Sequence, residues 1–136
     1  MLQIVTYPGL GDGPNPMGPA PLSPARWGGD HLYISGQVGI VPQTGQVVGT
    51  TAVEQARQAL ANLRSLVEAA GLTMADVVKT TIFLVDLDAF PDVNAVYRKF
   101  FLAPYPARST VGVILTPPSL LFEIEAVAVR PGSQHR

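Results

Sequence analysis

Between residues 51 and 71 the chain repeats apolar side chains every three or four positions: Val53, Ala56, Leu60, Leu63 and Val67. That spacing gathers them on one side of an α-helix. Thr51 three residues ahead of Glu54 has the form of a capping box, and Gly71 suits the turn that closes a helix. A helix is therefore predicted there, with Arg57, Arg64 and Glu68 turned to water. A second is predicted after Asp88 as N-cap, with Pro91 tolerated in its first turn and Val93, Val96, Tyr97 and Phe100 forming its apolar face. The remaining apolar runs are short and rich in β-branched residues, which reads as strands over 31–40, 77–85, 109–115 and 121–130.

Two of these runs carry more than a strand. The first is broken by Ser35-Gly36-Gln37, where a glycine permits a bulge or a close backbone approach, so this break is a candidate pocket wall. In the last, Phe122, Ile124, Ala126 and Ala128 point one way while Glu123, Glu125, Val127 and Val129 point the other. Two helices cover one face of a sheet, so Val127, Val129 and their neighbours Val111, Val113 and Leu115 need cover from elsewhere. A second subunit supplies it most simply. Turns are predicted at Pro42-Gln43-Thr44-Gly45 and Pro117-Pro118, and residues 8–24 hold enough proline and glycine to block helix and central strand alike. The glycines at 9, 11 and 13 do not make a phosphate loop, because no strand leads into them and Pro14 removes a backbone donor.

Composition narrows the function more than the fold. A chain of 136 residues is expected to form one domain over 1–136. The formal net charge is -1 and the 9 Lys and Arg are scattered, so no surface is predicted that would grip a nucleic-acid backbone. There are no cysteines and the 2 histidines, His31 and His135, are far apart, which leaves no cluster for a metal; no cofactor is expected. No apolar run approaches the ~18 residues of a membrane span, and the N-terminus lacks the pattern of an export signal, so the expected location is cytoplasmic. Charged residues make up only 14%, against about 25% in ordinary globular chains, which again points to apolar surface covered by another subunit.

Two side chains stand out as candidate chemistry. Arg108, in Pro106-Ala107-Arg108-Ser109-Thr110, is placed at the mouth of a strand beside stiffening prolines, where a planar guanidinium can grip a carboxylate with two charge-assisted bonds or form a structural salt bridge. Glu123 and Glu125 share the face in need of cover, where a carboxyl group gains a raised pKa or a partner. For Glu125 an exposed edge or an ion pair between subunits is the stronger reading. Ser35 lacks the setting of a nucleophilic serine.

Taken together, the segments Leu32-Tyr33-Ile34-Ser35-Gly36-Gln37, Gln55-Ala56-Arg57-Gln58-Ala59-Leu60-Ala61-Asn62-Leu63, Val78-Lys79-Thr80-Thr81-Ile82-Phe83-Leu84, Val93-Asn94-Ala95-Val96-Tyr97, Pro106-Ala107-Arg108-Ser109 and Glu123-Ile124-Glu125-Ala126-Val127-Ala128 resemble the RidA (YjgF) reactive-intermediate deaminases. The resemblance runs along nearly the whole chain after Gly18. It implies an α+β, chorismate-mutase-like subunit: a mixed β-sheet with two helices packed on one face, three copies forming a homotrimer around a central barrel, with sites in the clefts between subunits. It also implies hydrolysis of enamine and imine intermediates, such as 2-aminoacrylate, to a 2-oxo acid and ammonia. Arg108 would hold the substrate carboxylate and Glu123 would activate water, with Ser35, Gly36, Asn94 and Thr110 lining the pocket and Phe90 near it. Deaminases of this kind usually carry tyrosine in Gly-Pro-Tyr-Ser-x-Ala, whereas Ala20-Pro21-Leu22-Ser23-Pro24-Ala25 places Leu22 there. That departure motivates a rival reading, a non-catalytic module that binds a 2-oxo acid or another small carboxylate. Ribonuclease activity attaches to some relatives, but neither a basic groove nor catalytic histidines are predicted here.

Overall fold

In a computed structural model the chain is described over residues 3–8 and 20–132. Most of the proline- and glycine-rich segment 8–24 thus lies outside the described residues, as does His135. Six strands form one sheet: β1 (Ile4–Val5), β2 (Ala25–Gly28), β3 (His31–Val38), β4 (Val77–Leu84), β5 (Ala107–Gly112) and β6 (Phe122–Val129), in the spatial order β1-β2-β3-β6-β4-β5. Helix α1 (Ala52–Ala69) joins β3 to β4, and α2 (Phe90–Phe100) joins β4 to β5. β5 runs parallel to β4, while β6 lies antiparallel between β3 and β4, so the sheet is mixed and the strand latest in sequence is one of its central members.

The alternation along β6 organises the interior. Phe122, Ile124, Ala126 and Ala128 are buried in one cluster with Leu60, Leu63, Leu66 and Val67 of α1 and with Val93, Val96 and Tyr97 of α2. Both helices therefore cover the same face, as the alternation predicts. On the other face Glu125 and Val111 are exposed, Val127 is half-buried and Tyr33 is 53% exposed. Val129 departs from the expectation that it needs outside cover, being buried within the chain, and Leu115 packs on a small second cluster of Val38, Ile40 and Leu120. Burying that apolar side in water-free contact would be worth roughly 25 cal/mol per Å².

Helix α1 begins where the sequence places it. Thr51 Oγ1 accepts a hydrogen bond from the Glu54 backbone N–H at 3.2 Å, and the Glu54 carboxylate in turn accepts from the Thr50 N–H at 3.2 Å and from the Thr51 hydroxyl at 2.9 Å. The backbone and hydroxyl donors around it hold the Glu54 carboxyl below its ordinary pKa. Gly71, at φ +83°, closes the other end in the left-handed region. Arg57, Arg64 and Glu68 are exposed as expected, and Arg64 stacks 4.9 Å from the Phe100 ring. At α2 the predicted cap is displaced: Asp86, not Asp88, accepts from a backbone N–H and caps a short 3-10 turn over Leu87–Ala89, and α2 itself starts from Ala89 with Pro91 in its first turn. Asp88 supplies the donating N–H in that turn, because the three residues Leu87–Ala89 turn more tightly before the α-helix proper.

Three further differences follow from packing that short-range pattern does not carry. β1 and β2 were not predicted; they are short, and they exist because β3 presents a free edge to them. The strand predicted over 109–115 begins earlier, at Ala107, and ends at Gly112, which makes Arg108 the second residue of β5, still at the mouth of the strand. Gln55, whose polar side chain falls outside the predicted stripe, is fully buried: its amide donates to the Ser119 carbonyl at 2.8 Å and accepts from the Leu121 N–H at 2.7 Å. Gly39 allows this, since a Cβ there would lie 2.6 Å from Cβ of Gln55.

Gln55→Leu keeps the volume but strands the Leu121 N–H and the Ser119 carbonyl, both ends of part-buried bonds, just ahead of β6. The expected loss is about 2–4 kcal/mol of stability in urea unfolding monitored by circular dichroism. A loss below about 0.5 kcal/mol would show that water takes over both bonds.

Candidate functional site

The register of the sheet divides the site residues into two sets. On edge strand β5, Arg108 lies beside Thr80 and Thr110 beside Ile82, and Thr80 and Ile82 are buried on the helix-covered face. Arg108 and Thr110 therefore face α2. The Arg108 guanidinium stacks 4.8 Å from the Tyr97 ring and 5.5 Å from the Phe90 ring. Tyr97 is held in turn by a 2.8 Å hydrogen bond between its hydroxyl and that of Thr80, and burial raises its pKa, opposed by the Thr80 bond and the Arg108 charge. Two aromatic faces and a neighbouring strand fix the plane of the guanidinium without using its N–H groups.

Those N–H groups matter because Arg108 forms no ion pair with any described acid; the salt bridge among the described residues is Arg130 to Asp30 at 3.5 Å. The structural alternative for Arg108 thus finds no support within one chain. Beside it opens a cavity of about 370 Å³ lined by Asn94, Tyr97, Arg98, Tyr105, Pro106 and Arg108. Asn94 Oδ1 and Thr110 Oγ1 are enclosed nearby without a hydrogen-bond partner. Phe90, Asn94, Thr110 and Arg108, four residues named from sequence, are thus assembled on one side of the sheet.

The others stand on the opposite face. Glu123 pairs in register with Phe83 of β4 and Val38 of β3, turned away from the helices. Its carboxyl is half-buried and its pKa is raised, first by desolvation and then by the negative charge of Glu125 two residues on. The expected break in β3 is a true bulge, since the register slips between Ile34 and Gln37. It serves Glu123 directly: a Cβ built on Gly36 would lie 2.7 Å from the carboxyl carbon and 3.1 Å from Cγ of Glu123. Only a glycine leaves that space. Ser35 donates to the Ser23 carbonyl at 2.6 Å, and Leu22, Arg26, Tyr33, Ser35, Lys79 and Glu125 line a second, wider cavity of about 620 Å³ on this face. Glu125 is exposed there, but not at the sheet edge that was expected for it, because β6 lies between β3 and β4. Neither cavity unites Arg108 with Glu123.

Sequence reading passed over Tyr97 and Thr80 as supports of Arg108, and over Tyr7 and Gln37 behind the bulge. For Tyr97 a signal existed, because a tyrosine on the buried face of a helix needs a partner for its hydroxyl. Tyr7 had none, lying 30 residues from its partner in the sequence. Among the described residues no group of acidic or histidine side chains could hold a metal, and no helix is long and apolar enough to cross a membrane. His31 lies at the exposed start of β3, stacked on Tyr33.

One mixed sheet, both helices on one side, and an open cavity on each side define a small α+β protein whose candidate groups are distributed over two surfaces. The chain belongs to the RidA/YjgF family: residues 14–130 match the family model described as Endoribonuclease L-PSP. It is 47% identical over 118 residues to the 2-iminobutanoate/2-iminopropanoate deaminase of Escherichia coli (strain K12), covering 82% of this chain and 91% of that one. To the protein of the same name from Dermatophagoides farinae it is 41% identical over 117 residues, covering 84% and 91%. Among solved structures it is similar to Escherichia coli TdcF with bound serine, at a TM-score of 0.82 and 36% identity, covering 95% of this chain and 99% of that chain.

Because the folded chain raises the Glu123 pKa, the native state binds more protons than the unfolded chain from the ordinary carboxylate range up to the raised value. Stability therefore falls as pH rises through that window. Glu123→Gln, nearly isosteric and neutral, is expected to flatten this slope and to leave the variant more stable than the parent at neutral pH, read from Tm between pH 4 and 8. Parallel Tm curves for the two proteins would contradict the assignment.

Proposed function

We propose that this chain is a hydrolytic deaminase of reactive 2-imino acids and their enamine tautomers, working as a homotrimer of chorismate-mutase-like subunits whose sheets form a central barrel. The observation that carries the reading is Arg108: a guanidinium braced by Tyr97 and Phe90, paired with no described acid, and opening on a cavity. Such a guanidinium suits a bidentate grip on a carboxylate, each charge-assisted bond contributing about 1.5–3 kcal/mol. The serine bound to TdcF is itself a small carboxylate, and the deaminase names of the curated relatives fit an imine of that size.

The placement of Glu123 supports sites between copies. Arg108 and Glu123 stand on opposite faces of one sheet, so a substrate that meets both draws them from two chains. The exposed apolar side chains on the face of Glu123 give such an assembly surface to bury. The chemistry then needs no metal. With the carboxylate fixed, ionised Glu123 takes a proton from water as its oxygen bonds to the iminium carbon. It returns that proton to nitrogen in the tetrahedral adduct and, ionised again, takes the proton of the adduct's hydroxyl as the C–N bond breaks, so that ammonia departs, the carbonyl of a 2-oxo acid forms, and the proton passes from Glu123 to solvent. An enamine enters the same route after protonation at C3. A raised pKa suits both halves of the shuttle near neutral pH. Orientation does most of the remaining work.

Leu22 favours one variation. It is 46% exposed in the wider cavity and offers no hydroxyl to a substrate, which keeps in view a module that binds a 2-oxo acid without turnover. Calorimetric binding of 2-oxobutanoate with no acceleration of any imine tested would favour that module.

The test couples an amino-acid oxidase, which makes the imine in place, to 2-oxo acid detection. Arg108→Ala is expected to lower kcat/KM at least about 100-fold with the fold intact. Mixed assemblies of Arg108→Ala and Glu123→Gln chains should regain activity in roughly one site in four by random assortment, since some crevices then join an intact arginine to an intact acid. No recovery in a verified mixed assembly, or unchanged turnover in Arg108→Ala, would remove this mechanism.

A further inference from the structure

Gln37 and Tyr7 form a buried polar pair that the reaction just described does not use. Gln37 is 2% exposed and Tyr7 6%. The Gln37 amide nitrogen donates to the Ser35 carbonyl at 2.9 Å, and its oxygen accepts from the Tyr7 hydroxyl. These two bonds fix each other. A carbonyl only accepts, so the NH2 end of the amide must face Ser35, which turns Oε1 to Tyr7 and makes the phenol the donor. Burial raises the Tyr7 pKa and the Gln37 bond opposes it, so the phenol keeps its proton through the neutral range.

The carbonyl held in this way belongs to the bulge. Ser35 and Gly36 are the residues at which β3 slips against β6, and Gly36 is the surface on which the Glu123 carboxylate lies. The opposite flank is tied as well, since Ser35 donates from Oγ to Ser23 and from its backbone N–H to the Pro24 carbonyl at 2.9 Å. An extra residue in a strand normally leaves its backbone groups unpaired and its position soft. Here one side chain from behind and one backbone segment from the front leave it a single place.

We propose that Tyr7 and Gln37 are positioning residues for Glu123: by pinning the Ser35-Gly36 bulge from behind, they set where the proton-transferring carboxylate stands. The inference rests on the reading of Glu123 as that acid. Its reach is large for one hydrogen bond, because a displacement of about 1 Å between a proton-transfer group and its substrate costs on the order of 100-fold in rate. Substrate affinity, set by Arg108 on the other face, is left alone.

Tyr7→Phe removes one oxygen and keeps the ring, and Gln37→Met severs both bonds at similar volume. In the oxidase-coupled assay each is expected to lower kcat about tenfold or more with KM changed less than about twofold. Independently of substrate, the carboxyl of Glu123, followed by NMR in 13C-glutamate-labelled protein, should shift its titration midpoint while that of Glu54 stays. The other charged groups on that face, Glu125, Lys79 and Arg26, are common to parent and variants, so a shift reports the bulge. Variants that fold and match the parent in both kcat and the Glu123 titration overturn the proposal, and so does failure of both to fold, which would make the pair structural only. A parent without imine hydrolysis would instead sink the deaminase reading, with the titration still deciding the positioning.

Discussion

The structure depends on the two-residue period of β6. Because this strand is paired on both sides, one register serves two environments at once: Phe122, Ile124, Ala126 and Ala128 complete the core under the helices, and Glu123 and Glu125 are thereby committed to the other face. A slip of one residue would place two carboxylates among leucines, at a desolvation cost no partner there could offset. The position of the candidate acid is thus fixed by the same packing that stabilises the fold.

The two sides of the sheet do different physical work. On the helix side Arg108 is oriented by aromatic faces and retains its hydrogen-bonding capacity, so its charge is available to a ligand. On the open side Glu123 is fixed by backbone: a bulge, a glycine without a side chain, and tethers from Tyr7, Gln37 and Ser23. The arginine is preorganised through stacking and the acid through steric confinement, and each arrangement avoids spending the functional group's own hydrogen bonds.

What could be read in the sequence follows from the range of the interactions involved. The extent of α1, the alternation of β6 and the break at Gly36 are encoded within a few residues, and all are present. The switch from Asp88 to Asp86 at the start of α2 was not legible because a 3-10 turn and an α-turn make the same local demands for a cap. β1 and β2 are too short to leave a periodic signal, and their existence is decided by the edge of β3. The sequence offered candidate site residues without their arrangement: Gly36 and Glu123 are parted by the sheet from Arg108, a separation set by which strand pairs with which. Gln55, Gln37 and Tyr7 escaped because a buried polar residue is recognised by its partner, and the partners lie far along the chain.

The position of β6 between β3 and β4 has a consequence for how the chain is made. As synthesis proceeds, at about 5–20 residues per second, β3 and β4 emerge first and have no neighbour in common. Until residues 122–129 leave the ribosome, each presents a bare edge of backbone donors and acceptors alongside the apolar face of α1. The nascent chain is therefore in its most adhesive state just before β6 emerges, and the same edges that await β6 are the ones through which two nascent chains could pair.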